Sequence, residues 1–162
     1  MDIRLLTFDD IKKWIYLSSE YDCYVKELVH DLTEWYNGNE NGPSFDFYME
    51  SKIKQKEAFM AIDDLNNCLG IIAISLKNNR ITFFGISHNA DINIVGNLLL
   101  KHSLNLLDKT RKIGINEIAS KSNWINKLRE IIINNGFIQK EDSLENGVPV
   151  NTFIWENNNG KK

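Results

Sequence analysis

Between Glu57 and Ser120 the chain carries a pattern that few architectures accept. Three apolar runs, "EAFMAID", "CLGIIAISL" and "ITFFGIS", are separated only by "DLNN" and "KNNR". Connections that short cannot make parallel crossovers, so the runs predict antiparallel strands joined as hairpins. The middle run is apolar almost throughout, which marks a strand buried on both faces. Next comes "SHNADINIVGNLLLKH", leading into a helix expected from about Val95 to Lys109. Its apolar residues lie on more than one side, so it must be deeply packed. "INEIAS" is the strand that follows. The strand–helix–strand unit from Ile81 to Ser120 predicts a parallel pair with a right-handed crossover.

The flanks complete a mixed layer. "DIRLL" reads as a first strand, and Thr7 stands before "FDDIKKWIYLSS" as an N-cap with carboxylates in the first turn. A second helix is expected from Asp22 to Tyr36, with Val25, Leu28, Val29, Leu32, Trp35 and Tyr36 at helical spacing. "NGNENGPS" stops it, and "SFDFYMESKIKQ" forms a shorter third helix. After "INEIAS", Ser122 or Asn123 caps a last helix carrying Trp124, Leu128, Ile131 and Ile132. "NNGF" ends that helix, with Gly136 at C′ and Phe137 folding back as an apolar lock. "FIQK" and "VPVNTFIWE" close the chain as strands joined by a loop containing "ENG". The expected order is β-α-α-(α)-β-β-β-α-β-α-β-β. This is an α/β fold of the α+β mixed-sheet kind, with helices on both faces of the sheet.

Composition narrows function by exclusion. The 162 residues fit one domain over 1–156, with 157–162 as a disordered tail. A net charge of −3 offers no basic footprint for nucleic acid. No apolar run approaches the ~20 residues that span a bilayer. The start, "MDIRLLTFDD", lacks a signal-peptide layout, so a cytoplasmic protein is expected. Cys23 and Cys68 fit no C-x-x-C pattern and read as reduced thiols. His30, His88 and His102 have no ligand spacing, so no metal is expected.

No P-loop, dinucleotide fingerprint or hydrolase elbow is present. The strongest site candidate is the connection Ser87–His102. A helix N-terminus presents unpaired N–H groups and partial positive charge, which suits a phosphate. Gly96 there lets a backbone approach a ligand closely. An ordinary strand-to-helix connection with one glycine is the alternative.

The element order, this connection and the "NNGF" helix end together resemble the GCN5-related N-acetyltransferase family over nearly the whole chain, Asp2 to about Glu156. In that family an apolar residue ends the fourth strand, and a Q/R-x-x-G-x-G/A motif follows whose amides bind the pyrophosphate of acetyl-CoA. Ile86 matches the strand residue and "DINIVG", Asp91 to Gly96, the motif. Only the last glycine is kept. The resemblance implies acetyl-CoA as cosubstrate, held by Asn93, Ile94, Val95, Gly96 and Asn97. It implies further that an N–H near Ile86 and Ser87 meets the oxyanion. Ile94 narrows the space of the missing glycine. Asp91 repels a pyrophosphate unless it caps the turn at Asn93 or faces solvent.

The family often carries a tyrosine acid on the last helix. Counting back from Gly136 gives Ile132, so this chain lacks it. His88 is the candidate catalytic base, because imidazole takes protons near neutral pH; a plain surface-loop histidine is the alternative. Ser120 is a second catalytic candidate and, with Asn123, a partner for the pantetheine arm; strand end and N-cap are their alternative duties. The acceptor side would come from the first helices, where Glu20, Tyr21, Asp22, Tyr24, Glu27, Asp31, Glu34, Trp35 and Tyr36 mix acid with aromatic groups. Such a set suits a cationic amine, or is simply a solvated helix face. The expected function is N-acetyl transfer to a small-molecule or peptide amine by direct attack in a ternary complex, with a homodimer left open. A non-catalytic acyl-CoA-binding or regulatory module of the same fold is the alternative. The resemblance also implies that Gly96→Val abolishes binding in a chain that stays folded.

Overall fold

The computed structural model describes residues 1–28, 45–145 and 147–157. The predicted second helix beyond Leu28, with His30, Asp31, Glu34, Trp35 and Tyr36, lies outside them, as does the predicted tail from residue 158. The chain runs β1 (Asp2–Leu5), a 3-10 turn (Phe8–Asp10), α1 (Ile11–Ser19), α2 (Asp22–Leu28), α3 (Phe45–Lys54), β2 (Ala58–Ile62), β3 (Cys68–Ser75) and β4 (Arg80–Ile86). It continues with α4 (Ile92–Leu106), β5 (Ile113–Ile118), α5 (Asn123–Asn134), β6 (Ile138–Gln139), β7 (Ser143–Glu145) and β8 (Val148–Trp155). These strands form one mixed sheet in the order β1-β2-β3-β4-β5-β8-β6, with β7 also on β8. All pairs are antiparallel except β4 with β5, which is parallel as the crossover rule requires.

The apolar run of β3 lies at the middle of the meander, and Ile71, Ile72, Ala73 and Ile74 are buried whichever face they point to. Alternation along β4 assigns the two layers. Phe83 meets the indole of Trp14 from α1, with ring centroids 5.5 Å apart. On the other face, Phe84 lies near Gly96 of α4, and Ile86 with Leu99 of α4 crowds Gly70. Helices therefore cover both faces, and α4 is buried along Val95, Leu99, Leu100 and Leu104.

Several local expectations shift for identifiable reasons. Helix α4 begins at Ile92 rather than about Val95, because the Asp91 carboxylate accepts the N–H groups of Asn93 and Ile94 and starts the helix there. It ends at Leu106 rather than Lys109: the Asp108 N–H goes to Oδ1 of the buried Asn79, whose Nδ2 donates to the carbonyls of Asp108 and Lys112. Helix α5 is capped by Ser122, not Asn123, which is its exposed first residue. Gly136 and Phe137 close it as expected, donating to the Ile133 and Ile132 carbonyls, and Phe137 is buried. The expected loop around "ENG" contains the extra strand β7, which pairs back on β8.

One feature of the sheet positions a site. Strands β4 and β5 pair only at their starts, Arg80 with Gly114 and Ile81 with Ile115. Among the described residues the ladder stops there, although β4 runs on to Ile86 and β5 to Ile118. Asn79 holds the closed end of this wedge and the carboxyl ends of the strands diverge. In α/β sheets that end is where ligands bind.

Candidate functional site

The Ile86 N–H and C=O both face the wedge. The register places Ile86 opposite Gly70 on β3, but its polar groups do not bond there. A single side chain engages both: the Tyr21 hydroxyl accepts from the Ile86 N–H at 2.7 Å and donates to the Ile86 carbonyl at 2.6 Å. The indole Nε1–H of Trp124 donates to the same oxygen at 3.1 Å. Tyr21 sits at the corner between α1 and α2, and its ring crosses β4 above Gly85, where a Cβ would approach Tyr21 Cε2 to 3.2 Å. Gly85 therefore admits this ring. Burial pushes the Tyr21 phenol pKa up, so it stays protonated and can donate to the carbonyl.

Helix α2 straps across the open end and touches both lips. On the β4 lip, Tyr24 Oη lies 2.7 Å from Nε2 of His88. Glu20 Oε1 accepts the His88 backbone N–H at 3.3 Å and lies 3.7 Å from its Nδ1. The imidazole stands edge-on to Trp124, 4.9 Å between centroids, and near the rings of Tyr21 and Tyr24. On the β5 lip, Glu27 accepts from the Ser120 hydroxyl at 2.8 Å. Farther in, Arg129 donates to the Ser120 carbonyl and to buried Glu117. Burial raises the Glu117 pKa against the pull of Arg129.

The residues expected from the sequence fall into three groups. His88 and Ile86 meet at the wedge, with Glu20, Tyr21, Tyr24 and Glu27 from the expected acidic and aromatic set. Ser120 is fully buried with its hydroxyl already engaged: it donates to Glu27 and accepts the Ser122 N–H. Ser87 turns its N–H away, to the Leu69 carbonyl on β3, so of the two residues only Ile86 directs an amide into the wedge. Asn123 is exposed. The predicted cradle is arranged differently. The amides of Asn93 and Ile94 are held by Asp91, and that of Val95 by the Asp91 carbonyl. Asn97 donates to the Asn93 carbonyl and accepts from Asn135.

Gly96 is one turn inside α4 and buried against α5, where a Cβ would come within 2.8 Å of Ile131 Cδ1. Its glycine serves helix–helix contact. A valine there has to displace the end methyl of Ile131, so Gly96→Val disturbs the α4–α5 contact as well as any ligand cradle. His102 of α4 packs against Phe59 of β2, 4.6 Å between centroids, and burial lowers its pKa.

A second concavity of about 560 Å³ lies beside the same lip, between α1 and the start of β3. Lys12, Tyr16, Glu20, Cys68, Ser87 and Asn89 are among its lining residues. Among the described residues no group of three or more His, Cys, Asp or Glu side chains could hold a metal ion. No described helix is long and apolar enough to cross a membrane.

The chain matches no family model and no curated protein. Solved structures do match it along nearly its whole length. An N-acetyltransferase from Staphylococcus aureus Mu50 is 13% identical with a TM-score of 0.62, covering 95% of this chain and 100% of that one. An acetyltransferase of the GNAT family from Streptococcus agalactiae is 11% identical with a TM-score of 0.62, covering 96% and 95%. The NatC complex bound to Gag peptide and CoA matches at 16% identity and a TM-score of 0.54, covering 97% and 99%. With a mixed sheet that opens between one parallel pair and helices on both faces, this chain has the acyl-CoA N-acyltransferase fold of the GCN5-related N-acetyltransferases.

Proposed function

We propose that the protein is an N-acetyltransferase that moves the acetyl group of acetyl-CoA to a primary amine of a small molecule or peptide by direct attack. The observation that carries this reading is the wedge at the carboxyl ends of β4 and β5. There one backbone donor and one acceptor, both on Ile86, point into the gap. The Ile86 C=O offers an acceptor for an amide N–H of the pantetheine arm, and the neighbouring N–H is left for the thioester carbonyl. The residues fit the cosubstrate in kind, although Tyr21 and Asp91 hold those positions in this structure.

Acetyl-CoA supplies an activated acyl carbonyl. The chain's own groups do the rest. The Ile86 N–H meets charge developing on the carbonyl oxygen. His88 accepts the proton of the incoming ammonium at Nδ1, on the Glu20 side, in the tautomer whose Nε2–H donates to Tyr24 Oη; Glu20 accepts the His88 backbone N–H as well. Glu20 also lines the concavity of about 560 Å³, which gives a cationic amine a carboxylate beside His88. Proximity is the larger contribution: effective molarities of roughly 10⁵–10⁸ M exceed the ~10²–10⁴-fold of a positioned base. The lack of a phenol at Ile132 therefore lowers the rate without forbidding the reaction.

The test is release of free CoA thiol with a panel of amines. At least one amine should give turnover, and His88→Ala should lower kcat by about 10²-fold with little change in acetyl-CoA affinity. Tight acetyl-CoA binding with no thiol release from any amine would favour the second reading, a non-catalytic acyl-CoA-binding module. Asp91 on the amides of Asn93 and Ile94 is the observation that favours it.

A further inference from the structure

The Tyr21 hydroxyl makes three hydrogen bonds, two of them to a backbone pair that no strand among the described residues satisfies. It does for Ile86 what the next strand would do if β5 stayed alongside. Nothing in sheet formation requires a phenol here, since β5 could have paired farther along. Three further observations mark a built position. Gly85 leaves room for the ring to cross β4. Trp124, from the opposite lip, donates to the same oxygen. Tyr24 and Glu27 of the adjoining helix tie α2 to His88 on one lip and Ser120 on the other.

We infer that Tyr21 is a gate: its phenol occupies the seat of the acyl-pantetheine arm, and acyl-CoA binds only when the Tyr21 side chain rotates out of the wedge, while Glu20 and Tyr24 keep their hold on His88. This rests on the acyl-CoA reading above and adds its regulation. The closed state is favoured by the three bonds to Tyr21 Oη. In the open state the Ile86 pair is handed to the ligand or to water. Apparent affinity is then reduced by the fraction of chains that are open.

The experiment is calorimetric titration of full-length protein with CoA and with acetyl-CoA, for wild type, Tyr21→Phe and Tyr21→Ala. Tyr21→Phe keeps the ring but leaves the Ile86 N–H and C=O unpaired when closed, so it shifts the population towards open. It should bind about tenfold tighter or better, as the loss of a closed-state excess of that order requires. Its unliganded melting temperature should fall at the same time. A tyrosine that only supports the core lowers the melting temperature and leaves affinity unchanged or weaker, and that result overturns the gate. The Trp124 indole N–H resonance, assigned by its loss in Trp124→Phe, should move on CoA addition in wild type. In Tyr21→Phe it should already lie displaced before CoA is added. If wild type and the variants bind CoA equally well, the gate fails and the acyl-CoA reading stands. If none of the three binds at millimolar concentration, the acyl-CoA reading fails and the gate with it. If Tyr21→Ala does not fold, Tyr21→Phe carries the test alone.

Discussion

The contact between Gly96 and Ile131 yields a prediction with a worked magnitude. A Cβ added at Gly96 would sit 2.8 Å from Ile131 Cδ1 but 3.7 Å from Cγ2 and from Phe84 Cζ. Only the last methyl of Ile131 is in the way. Replacing glycine by alanine inside a helix gains about 1 kcal/mol, whereas overpacking a tight core costs about 1–3 kcal/mol. Gly96→Ala alone should therefore destabilise by roughly 0–2 kcal/mol. Ile131→Val removes that methyl and itself costs about 0.5–1.5 kcal/mol. In the Ile131→Val background, Gly96→Ala should instead stabilise by about 1 kcal/mol. The coupling between the two sites is then about 1–3 kcal/mol. Urea unfolding of the two single variants, the double variant and the parent measures it. Equal effects of Gly96→Ala in both backgrounds would refute the assignment of Gly96 to helix packing. Gly96→Val should be worse in both, which makes it a poor probe of ligand binding.

Two more outcomes can be checked directly. Asp91→Ala removes the α4 cap and should cost about 1 kcal/mol in thermal or urea unfolding; under the proposed function it also frees two amides, so CoA should bind more tightly. Asp10 is buried and accepts both arms of the Arg4 guanidinium and the Thr7 N–H, and chiefly the Arg4 bond lowers its pKa to about 2. Its stabilisation of about 2 kcal/mol is fully present above the unfolded pKa, near 4, and is lost as pH falls through about 2. Arg4→Met should flatten acid unfolding in that window and lower stability at neutral pH.

How much of the site was legible depended on the range of the interactions. The candidate base His88 stood out because it follows a predicted strand end, and the acidic and aromatic set of the first helices was visible as composition. Their meeting was not visible, since Tyr21 and Ile86 are 65 residues apart and no periodicity reports a side chain crossing a strand edge. The start of α4 is different. Its signal was local: Asp91 immediately precedes the apolar series Ile92, Val95 and Leu99, which is an N-cap pattern. The expected start at about Val95 passes over that signal and places the helix about one turn late. Cap chemistry decided it, because a carboxylate on two free amides is a short-range contact that forms wherever it can.

By itself the amino-acid order determined the layers. Hairpins follow from short polar turns, burial of β3 from its continuous apolar run, and the parallel pair from the helix between its strands. Each rests on interactions close in sequence or on a periodicity. The tertiary structure alone decided what stands in the wedge. Where β4 and β5 diverge, a backbone donor and acceptor must find some partner. Which group supplies it depends on how the α1–α2 corner lies across the sheet, and here it is a tyrosine held by Trp124 from the far lip.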